Sequence, residues 1–228
     1  MSVYRLSDQL IFPDPELSNS SGLLAVGGDL SLERLVLAYR MGIFPWYSDG
    51  EPILWWSPNP RLVLYPDEFH ASRSLCRLLR QNRFTVTLDQ NFSDVMAACA
   101  RIPRKYQDGT WITAEMMTAY CSLHEAGLAH SVEVWHHEEL VGGLYGVSLG
   151  LCFFGESMFA WENNASKVGF ATLIHLLQQW SFRLVDCQVT TSHLVQMGAR
   201  EIPRKRFLAE LKQALKSPFR EGKWKLHQ

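Results

Sequence analysis

One segment of the sequence constrains the fold more than any other, because strand-like apolar runs flank a long apolar helix in it. Strands are predicted over 141–147, 151–154 and 184–189, and the helix over 165–180. The helix is apolar on most sides, which predicts deep packing against a sheet. A strand, a crossover helix and a second strand form a right-handed unit, so the two flanking strands lie close together if they run parallel.

Three polar side chains stand at the ends of these strands. Positions two apart on a strand share a face, so Asp186 and Gln188 point together while Cys187 points away as a small core residue. If the two flanking strands pair, Glu156 lies at the same end of the sheet as Asp186 and Gln188. A carboxylate among aromatic neighbours is costly to bury unless a cation or a hydrogen-bond donor meets it, which indicates a site.

Composition places the chain among ordinary globular proteins. Of its 228 residues, 47% are hydrophobic, enough for a real core. No apolar run approaches about 20 residues and the start is not signal-like, so we expect neither secretion nor a membrane span. The five scattered cysteines favour a reducing cytoplasm. With a formal net charge of −1, any nucleic-acid contact must come from a local basic patch.

The expected fold class is α+β, with a small N-terminal α/β domain over 1–61 and a larger domain over 62–228. The first part is rich in loops, because it contains six of the ten prolines. Its clear helix is predicted over 31–41, with Ser31 as N-cap and Gly42 as the stop. The nearby tryptophans at 46, 55 and 56 indicate core packing or, alternatively, a pocket wall.

The first predicted helix of the second domain carries a basic stripe formed by Arg73, Arg77, Arg80 and Arg83. The first three recur at spacings of four and three, which places them on one helical face. No acidic residue lies between positions 68 and 89. The stripe is either a solvated helix face or a phosphate-binding surface.

Several familiar sites are not indicated by the sequence. The segment from Gly155 to Phe159 resembles a hydrolase nucleophile elbow, but Phe159 stands where that turn needs glycine. His136 and His137 are adjacent, without the spacing of metal ligands, so no metal is expected. No glycine-rich phosphate loop occurs, so ATP and nicotinamide cofactors are not expected either.

Seven motifs occur in order along nearly the whole chain: Gly27-Gly28-Asp29-Leu30-Ser31, Gly42-Ile43-Phe44-Pro45-Trp46, Trp55-Trp56-Ser57-Pro58, Gly109-Thr110-Trp111-Ile112-Thr113, Gly155-Glu156-Ser157-Met158-Phe159, Asn164-Ala165-Ser166-Lys167 and Asp186-Cys187-Gln188. This series closely resembles the bacterial leucyl/phenylalanyl-tRNA-protein transferases. The resemblance implies an acetyltransferase-like (GNAT) second domain. It also implies transfer of leucine, phenylalanine or methionine from aminoacyl-tRNA to the N-terminal arginine or lysine of a protein, which marks that protein for degradation.

The resemblance also implies catalytic roles. Asp186 and Gln188 resemble the family pair that orients and deprotonates the attacking amine. A neutral amide is a poor base, so we expect Asp186 to act as the polarising anion and Gln188 as a positioner. Glu156 is expected to receive the cationic side chain of the acceptor. No cofactor is expected, because an aminoacyl ester is already activated.

Binding residues follow from the same resemblance. The donor side chain is expected in a pocket of Leu144, Phe153, Met158 and Leu173, with Trp46 and Trp111 near the terminal adenosine or the amino acid. The four arginines of the basic stripe match the family's surface for the tRNA acceptor stem. Leu173 and Ala160 depart from the residues usual in the family, which leaves the preferred donor undetermined.

Two other functions share parts of this pattern. A coenzyme-A-dependent acyltransferase would have the same fold, but the segment from Asn163 to Lys167 lacks the glycine-rich pyrophosphate turn. A non-catalytic RNA-binding module would keep the arginine stripe and would not need Glu156, Asp186 and Gln188. A transfer assay with leucyl-tRNA separates these classes.

Overall fold

The computed structural model describes residues 3–103, 110–218, 220 and 222–226. This part of the chain is α+β, as predicted, and forms two sheets and seven α-helices. In chain order, the elements are β1 (Tyr4–Leu6), β2 (Leu23–Gly27), α1 (Leu32–Arg40), β3 (Phe44–Pro45), β4 (Leu54–Trp56), β5 (Arg61–Leu64), α2 (Arg73–Arg80), β6 (Thr85–Leu88), α3 (Phe92–Arg101), α4 (Ala114–Glu125), β7 (Ala129–His136), β8 (Glu139–Leu149), β9 (Cys152–Ala160), α5 (Ala165–Gln179), β10 (Leu184–Gln188), α6 (Ser192–Gln196), β11 (Arg200–Ile202) and α7 (Arg204–Ala214).

The first sheet belongs to the N-terminal part and has the strand order β1-β2-β4-β3. Its tryptophans divide between the two predicted environments. Trp55 is fully buried and packs edge-on against Phe12. Trp46 is 39% exposed, and its backbone carbonyl accepts a hydrogen bond from the indole of Trp56 at 2.7 Å. Trp46 is therefore free to form part of a cavity wall.

Helix α1 begins and ends where the sequence predicts. The Ser31 side chain accepts a hydrogen bond from the Arg34 amide, which satisfies a donor of the first turn. Gly42 follows the helix with φ +72°, a conformation that glycine adopts without steric cost. A Cβ atom there would also lie 2.6 Å from Leu208 and 2.8 Å from Phe207 of α7. The turn after α1 therefore depends on glycine for its backbone conformation and for its close contact with α7.

The second sheet has the order β11-β5-β10-β9-β8-β7-β6. Strands β9 and β10 run parallel, with Asp186 opposite Phe154, and α5 connects them as predicted. The other neighbouring strands of this sheet, within the described residues, are antiparallel. Strands β7, β8 and β9 follow one another as an antiparallel meander. The expectation that the strand ends at Glu156 is wrong, because β9 continues to Ala160.

The two faces of this sheet cover separate apolar clusters. Phe153, Val185 and Cys187 pack with α5 on one face, as strand alternation predicts. Phe154 faces a larger cluster that contains residues of α1, α3 and α4. Because this larger cluster also includes residues of the first sheet, the two parts share one core. The domain division at residue 61 remains a prediction.

Candidate active site

A cavity of about 470 Å³ lies where the first sheet meets the middle of the second. Seven of the predicted site residues line it: Trp46, Trp111, Leu144, Phe153, Glu156, Met158 and Gln188. Phe170, Val185 and Leu194 extend its apolar wall. The structure thus brings together the predicted carboxylate, amide and apolar side chains. Gly109, which precedes Trp111 in its sequence motif, lies outside the described residues.

Glu156 reaches the cavity from a β-bulge in the middle of β9. Tyr145 of β8 pairs with Ser157 and Gly146 pairs with Gly155, so Glu156 is the extra residue between two cross-strand pairs. A bulge bends its strand and re-aims a side chain. This local irregularity, rather than the end of a strand, places the carboxylate in the cavity.

Gln188 is placed by a second irregularity, at the end of β10. The register with β5 shifts between Asp186, which lies opposite Val63, and Gln188, which lies opposite Leu62. Gln188 has φ +62°, the left-handed conformation that is uncommon for residues other than glycine. Backbone strain of this kind clusters at functional sites. It turns the Gln188 amide toward Glu156.

Three side chains hold the Glu156 carboxylate. The Tyr39 hydroxyl donates to Oε1 at 2.7 Å, the Tyr120 hydroxyl to Oε2 at 3.2 Å, and Gln188 Nε2 to Oε1 at 2.9 Å. Burial raises the pKa of Glu156 from its ordinary 4.5 to about 7, although the hydrogen bonds from both tyrosines and from Gln188 lower it. The carboxyl is therefore poised to change charge near neutral pH.

Asp186 lies behind the cavity wall. The carboxylate is fully buried and makes a bidentate ion pair with Arg61, at 2.7 Å from Nε and 2.6 Å from Nη2. The guanidinium lies between the rings of Phe44 and Phe207. The expectation that Asp186 polarises the amine directly therefore needs correction, because its charge is compensated and it does not line the cavity. It contacts the site through Gln188, whose backbone N–H donates to Asp186 Oδ1 at 2.9 Å.

Leu173 also lies outside the cavity wall, contrary to expectation. It is fully buried and packs in the same cluster as Leu144 and Phe153. Phe170, one turn earlier on α5, contributes the ring that lines the cavity. Leu173 therefore packs behind the wall and is not one of the residues that line the cavity.

The Cys187 thiol is buried in the apolar cluster beside α5. Burial and the nearby Asp186 raise its pKa well above the usual range, so it stays protonated at neutral pH. The described residues contain no group of three or more histidine, cysteine or acidic side chains able to hold a metal ion. None of the described helices is both long and apolar enough to cross a membrane.

Three arginines of the basic stripe lie on α2 and Arg83 lies just beyond it, and none of the four lines the main cavity. All four are exposed. Arg73 and Arg77 line a second cavity between α2 and α5. Arg83 is ion-paired with Glu162, which reduces its capacity to bind another anion. The four arginines therefore differ in their capacity to bind another anion. Their spacing in the sequence does not show this difference.

The sequence analysis missed the residues that support the site. These residues are Tyr39 and Tyr120, which bind the Glu156 carboxylate, and Arg61, which pairs with Asp186. A tyrosine hydroxyl on a buried helix face needs a polar partner, so Tyr39 and Tyr120 carried a usable signal. Arg61 carried none, since arginine is common at strand ends.

An apolar cavity that contains one carboxylate and one amide is typical of an enzyme site that receives an apolar group. Family comparisons agree with this class. Residues 63–212 match the leucyl/phenylalanyl-tRNA protein transferase family, and residues 28–59 match the N-terminal domain of the same family. The chain belongs to the leucyl/phenylalanyl-tRNA protein transferase family.

Relatives with this name resemble the chain over almost its full length. The protein from Desulfatibacillum aliphaticivorans is 60% identical over 226 residues, which cover 99% of this chain and 97% of the relative. That from Ectopseudomonas mendocina is 62% identical over 200 residues, 88% of each chain. Among solved structures, a conserved protein of unknown function from Staphylococcus epidermidis has a TM-score of 0.43 and 10% identity, covering 79% of this chain and 68% of that one. That likeness is too weak to support an argument.

Proposed function

We propose that this chain transfers leucine or phenylalanine from aminoacyl-tRNA to the N-terminal arginine or lysine of an acceptor protein, and so marks it for N-end-rule degradation. The observation that carries the proposal is the Glu156–Gln188 pair, which forms a small polar patch in an otherwise largely apolar cavity. Methionine also suits the apolar wall, because its side chain is unbranched and flexible. Since aminoacyl-tRNA is used in the cytoplasm, we place the reaction there.

Different parts of the cavity suit the aminoacyl donor and the acceptor protein. Leu144, Phe153 and Met158 offer an apolar surface to the aminoacyl side chain. Trp46 and Trp111 offer ring faces on which the terminal adenosine can stack. Glu156 is the acidic side chain among the described lining residues, so it is the partner for the cationic side chain of the acceptor.

Gln188 is the residue assigned to contact the attacking amine. Its amide nitrogen donates to Glu156, so its amide oxygen is the atom that can accept a hydrogen bond from the amine. The amine forms a bond to the ester carbonyl carbon and loses one proton, the bond from that carbon to the ribose oxygen breaks, and the ribose oxygen gains one proton and leaves as a hydroxyl. Asp186 is a positioning residue, because it holds the Gln188 backbone.

We further propose that the second sheet and its helices form an acetyltransferase-type (GNAT) domain. The parallel strands β9 and β10, joined by α5 within an otherwise antiparallel sheet, support this finer assignment. The arginines Arg73, Arg77, Arg80 and Arg83 are assigned to the tRNA acceptor stem, with Arg83 the weakest contact because of its pairing with Glu162.

The test is transfer of labelled leucine from leucyl-tRNA to peptides that begin with Arg, Lys or Ala, with leucyl-coenzyme A as the alternative donor. We expect product from leucyl-tRNA with Arg and Lys peptides and none from the coenzyme A ester.

Glu156→Gln keeps the shape of the side chain and removes its charge. It should reduce transfer to Arg and Lys peptides more than transfer to the Ala peptide. Equal reductions would contradict the ion pair.

A further inference from the structure

A second cavity, of about 410 Å³, lies between α2 and α5. Three basic side chains from the two helices line it: Arg73, Arg77 and Lys167. Leu75 of α2 packs on Val168 and Ala171 of α5, which fixes the two helices against each other. The cations therefore converge on a formed cavity and are not spread along one solvated helix face.

The sequence around this cavity contains little negative charge. Positions 69–88, which include α2, contain no acidic residue, and neither do positions 163–185, which include α5. Ser72, Ser74, Gln81 and Asn164 also line the cavity and can donate hydrogen bonds. A cavity with three cations and several neutral donors suits a phosphate group, which accepts hydrogen bonds through all of its oxygens.

Helix α5 connects this cavity to the candidate active site. Lys167 lines the smaller cavity, and Phe170, one turn later, lines the larger one. Lys167 is also close enough to His193, which lines the larger cavity, to lower the pKa of that histidine, although burial is the main cause of the shift. Helix α5 therefore carries residues that line both cavities, one turn apart.

We propose that Lys167 binds the backbone phosphates of the single-stranded tRNA 3′ end as it passes from the acceptor stem, which Arg73 and Arg77 contact, to the active site. The inference rests on the proposed function and deepens it by assigning a phosphate subsite on α5. In this arrangement α2 contacts the stem, Lys167 contacts the phosphates before the terminal adenosine, and the ester lies beside Gln188.

The experiment compares three donors of decreasing length: leucyl-tRNA, leucyl-CCA trinucleotide and 3′-leucyl-adenosine, which has no phosphate. Lys167→Gln should raise KM for the first two donors by about tenfold, the scale of one charge-assisted hydrogen bond. It should leave KM for leucyl-adenosine unchanged. The salt dependence of leucyl-CCA binding should decrease by about 0.7 in slope, as expected for one lost phosphate contact on a single strand.

Control variants make the outcome specific. Lys167→Arg should restore most of the affinity for leucyl-CCA, and Lys212→Gln, the same charge change on the exposed face of α7, should have no effect. An equal loss with leucyl-adenosine would show that Lys167 only shapes the active site and would overturn the proposal. So would a loss with leucyl-tRNA but not with leucyl-CCA, which would place the contact on the stem. If the wild-type chain used none of the three donors, the proposed function itself would fail.

Discussion

The carboxylate of Asp186 and the guanidinium of Arg61 form a bidentate ion pair in the core, with neither side chain more than 1% exposed. Removing one partner of such a pair leaves an uncompensated buried charge, which costs about 3–5 kcal/mol. We therefore expect Asp186→Ala to lower the free energy of unfolding by that amount and to abolish transfer. Urea unfolding and the transfer assay measure the two effects on the same preparation.

A double variant separates the two effects. Arg61→Met with Asp186→Leu replaces the ion pair by apolar groups of similar size, a change that is often neutral or stabilising. We expect stability within about 1 kcal/mol of wild type but transfer still strongly reduced, because the Gln188 backbone N–H has lost its acceptor. Full transfer by this double variant would rule out a positioning role for Asp186.

The surroundings of Asp186 show which features of the structure could be predicted from the sequence and which could not. Hydrophobic periodicity predicted α5, β10 and the first part of β9, because burial of one face imposes a period that the chain itself displays. The parallel pairing of the two strands was only a condition of the argument, which the structure meets. Periodicity could not predict the bulge at Glu156, since a bulge arises from the register of two strands. The pairing of Arg61 with Asp186, which are 125 positions apart, likewise depends on strand order.

Hydrophobic periodicity also could not predict the short strands of the first sheet. With two to five residues each, they show too little alternation to be distinguished from loop, and the prolines nearby favour the loop interpretation. The residue types at the site were still informative. Apolar side chains around Glu156 already indicated a site, and the family resemblance supplied nine catalytic and substrate-binding residues, of which seven line one cavity.

The pH dependence of transfer should report on Glu156. Its pKa is raised to about 7, chiefly by burial, so the carboxyl is mostly neutral below pH 7 and mostly ionised above it. Only the ionised form attracts a cationic acceptor. We expect kcat/KM for an Arg-started peptide to fall as the pH decreases through about 7, more steeply than for an Ala-started peptide whose α-amine titrates in the same range. Identical profiles for the two peptides would argue against this assignment.

Tyr39→Phe provides a test of that pH dependence with a conservative change. The Tyr39 hydroxyl donates to Glu156 Oε1 and stabilises the ionised form. Its removal should raise the pKa of Glu156 further and move the midpoint of the Arg-peptide profile to higher pH. At pH well above the new midpoint, transfer should approach the wild-type rate. Tyr4→Phe, a half-exposed tyrosine on β1, is the matched control. An unchanged midpoint in Tyr39→Phe would contradict the prediction.

The arginines of α2 should contribute unequally to tRNA binding. Arg77→Ala removes a cation beside the second cavity and should weaken binding, with the salt slope reduced by about 1. Arg83→Ala should have a smaller effect, because Arg83 is already paired with Glu162. Filter binding of leucyl-tRNA between 50 and 200 mM salt, at roughly the range over which phosphate contacts weaken, measures both. Equal slopes for the two variants would show that the ion pair with Glu162 opens on binding.

The C-terminal segment is held by Trp224, whose ring stacks on His130 with 3.8 Å between centroids. His130 Nδ1 lies 2.8 Å from Asp89, which also accepts the Trp224 backbone N–H. Burial lowers the pKa of His130, and the Asp89 carboxylate only partly opposes this. The unfolded chain therefore binds a proton near pH 6.5 that the folded chain binds only at lower pH.

It follows that this histidine makes the protein less stable as the pH decreases below about 6.5. His130→Phe keeps a ring against Trp224 and removes the titration. We expect the free energy of unfolding, measured in urea between pH 8 and about pH 5.5, to fall less in this variant than in wild type. Trp224→Ala should cost about 3–5 kcal/mol at every pH, because the ring is buried against Phe153, Trp180 and Phe182. A His130→Phe variant with the wild-type pH dependence would show that other groups dominate the acid sensitivity.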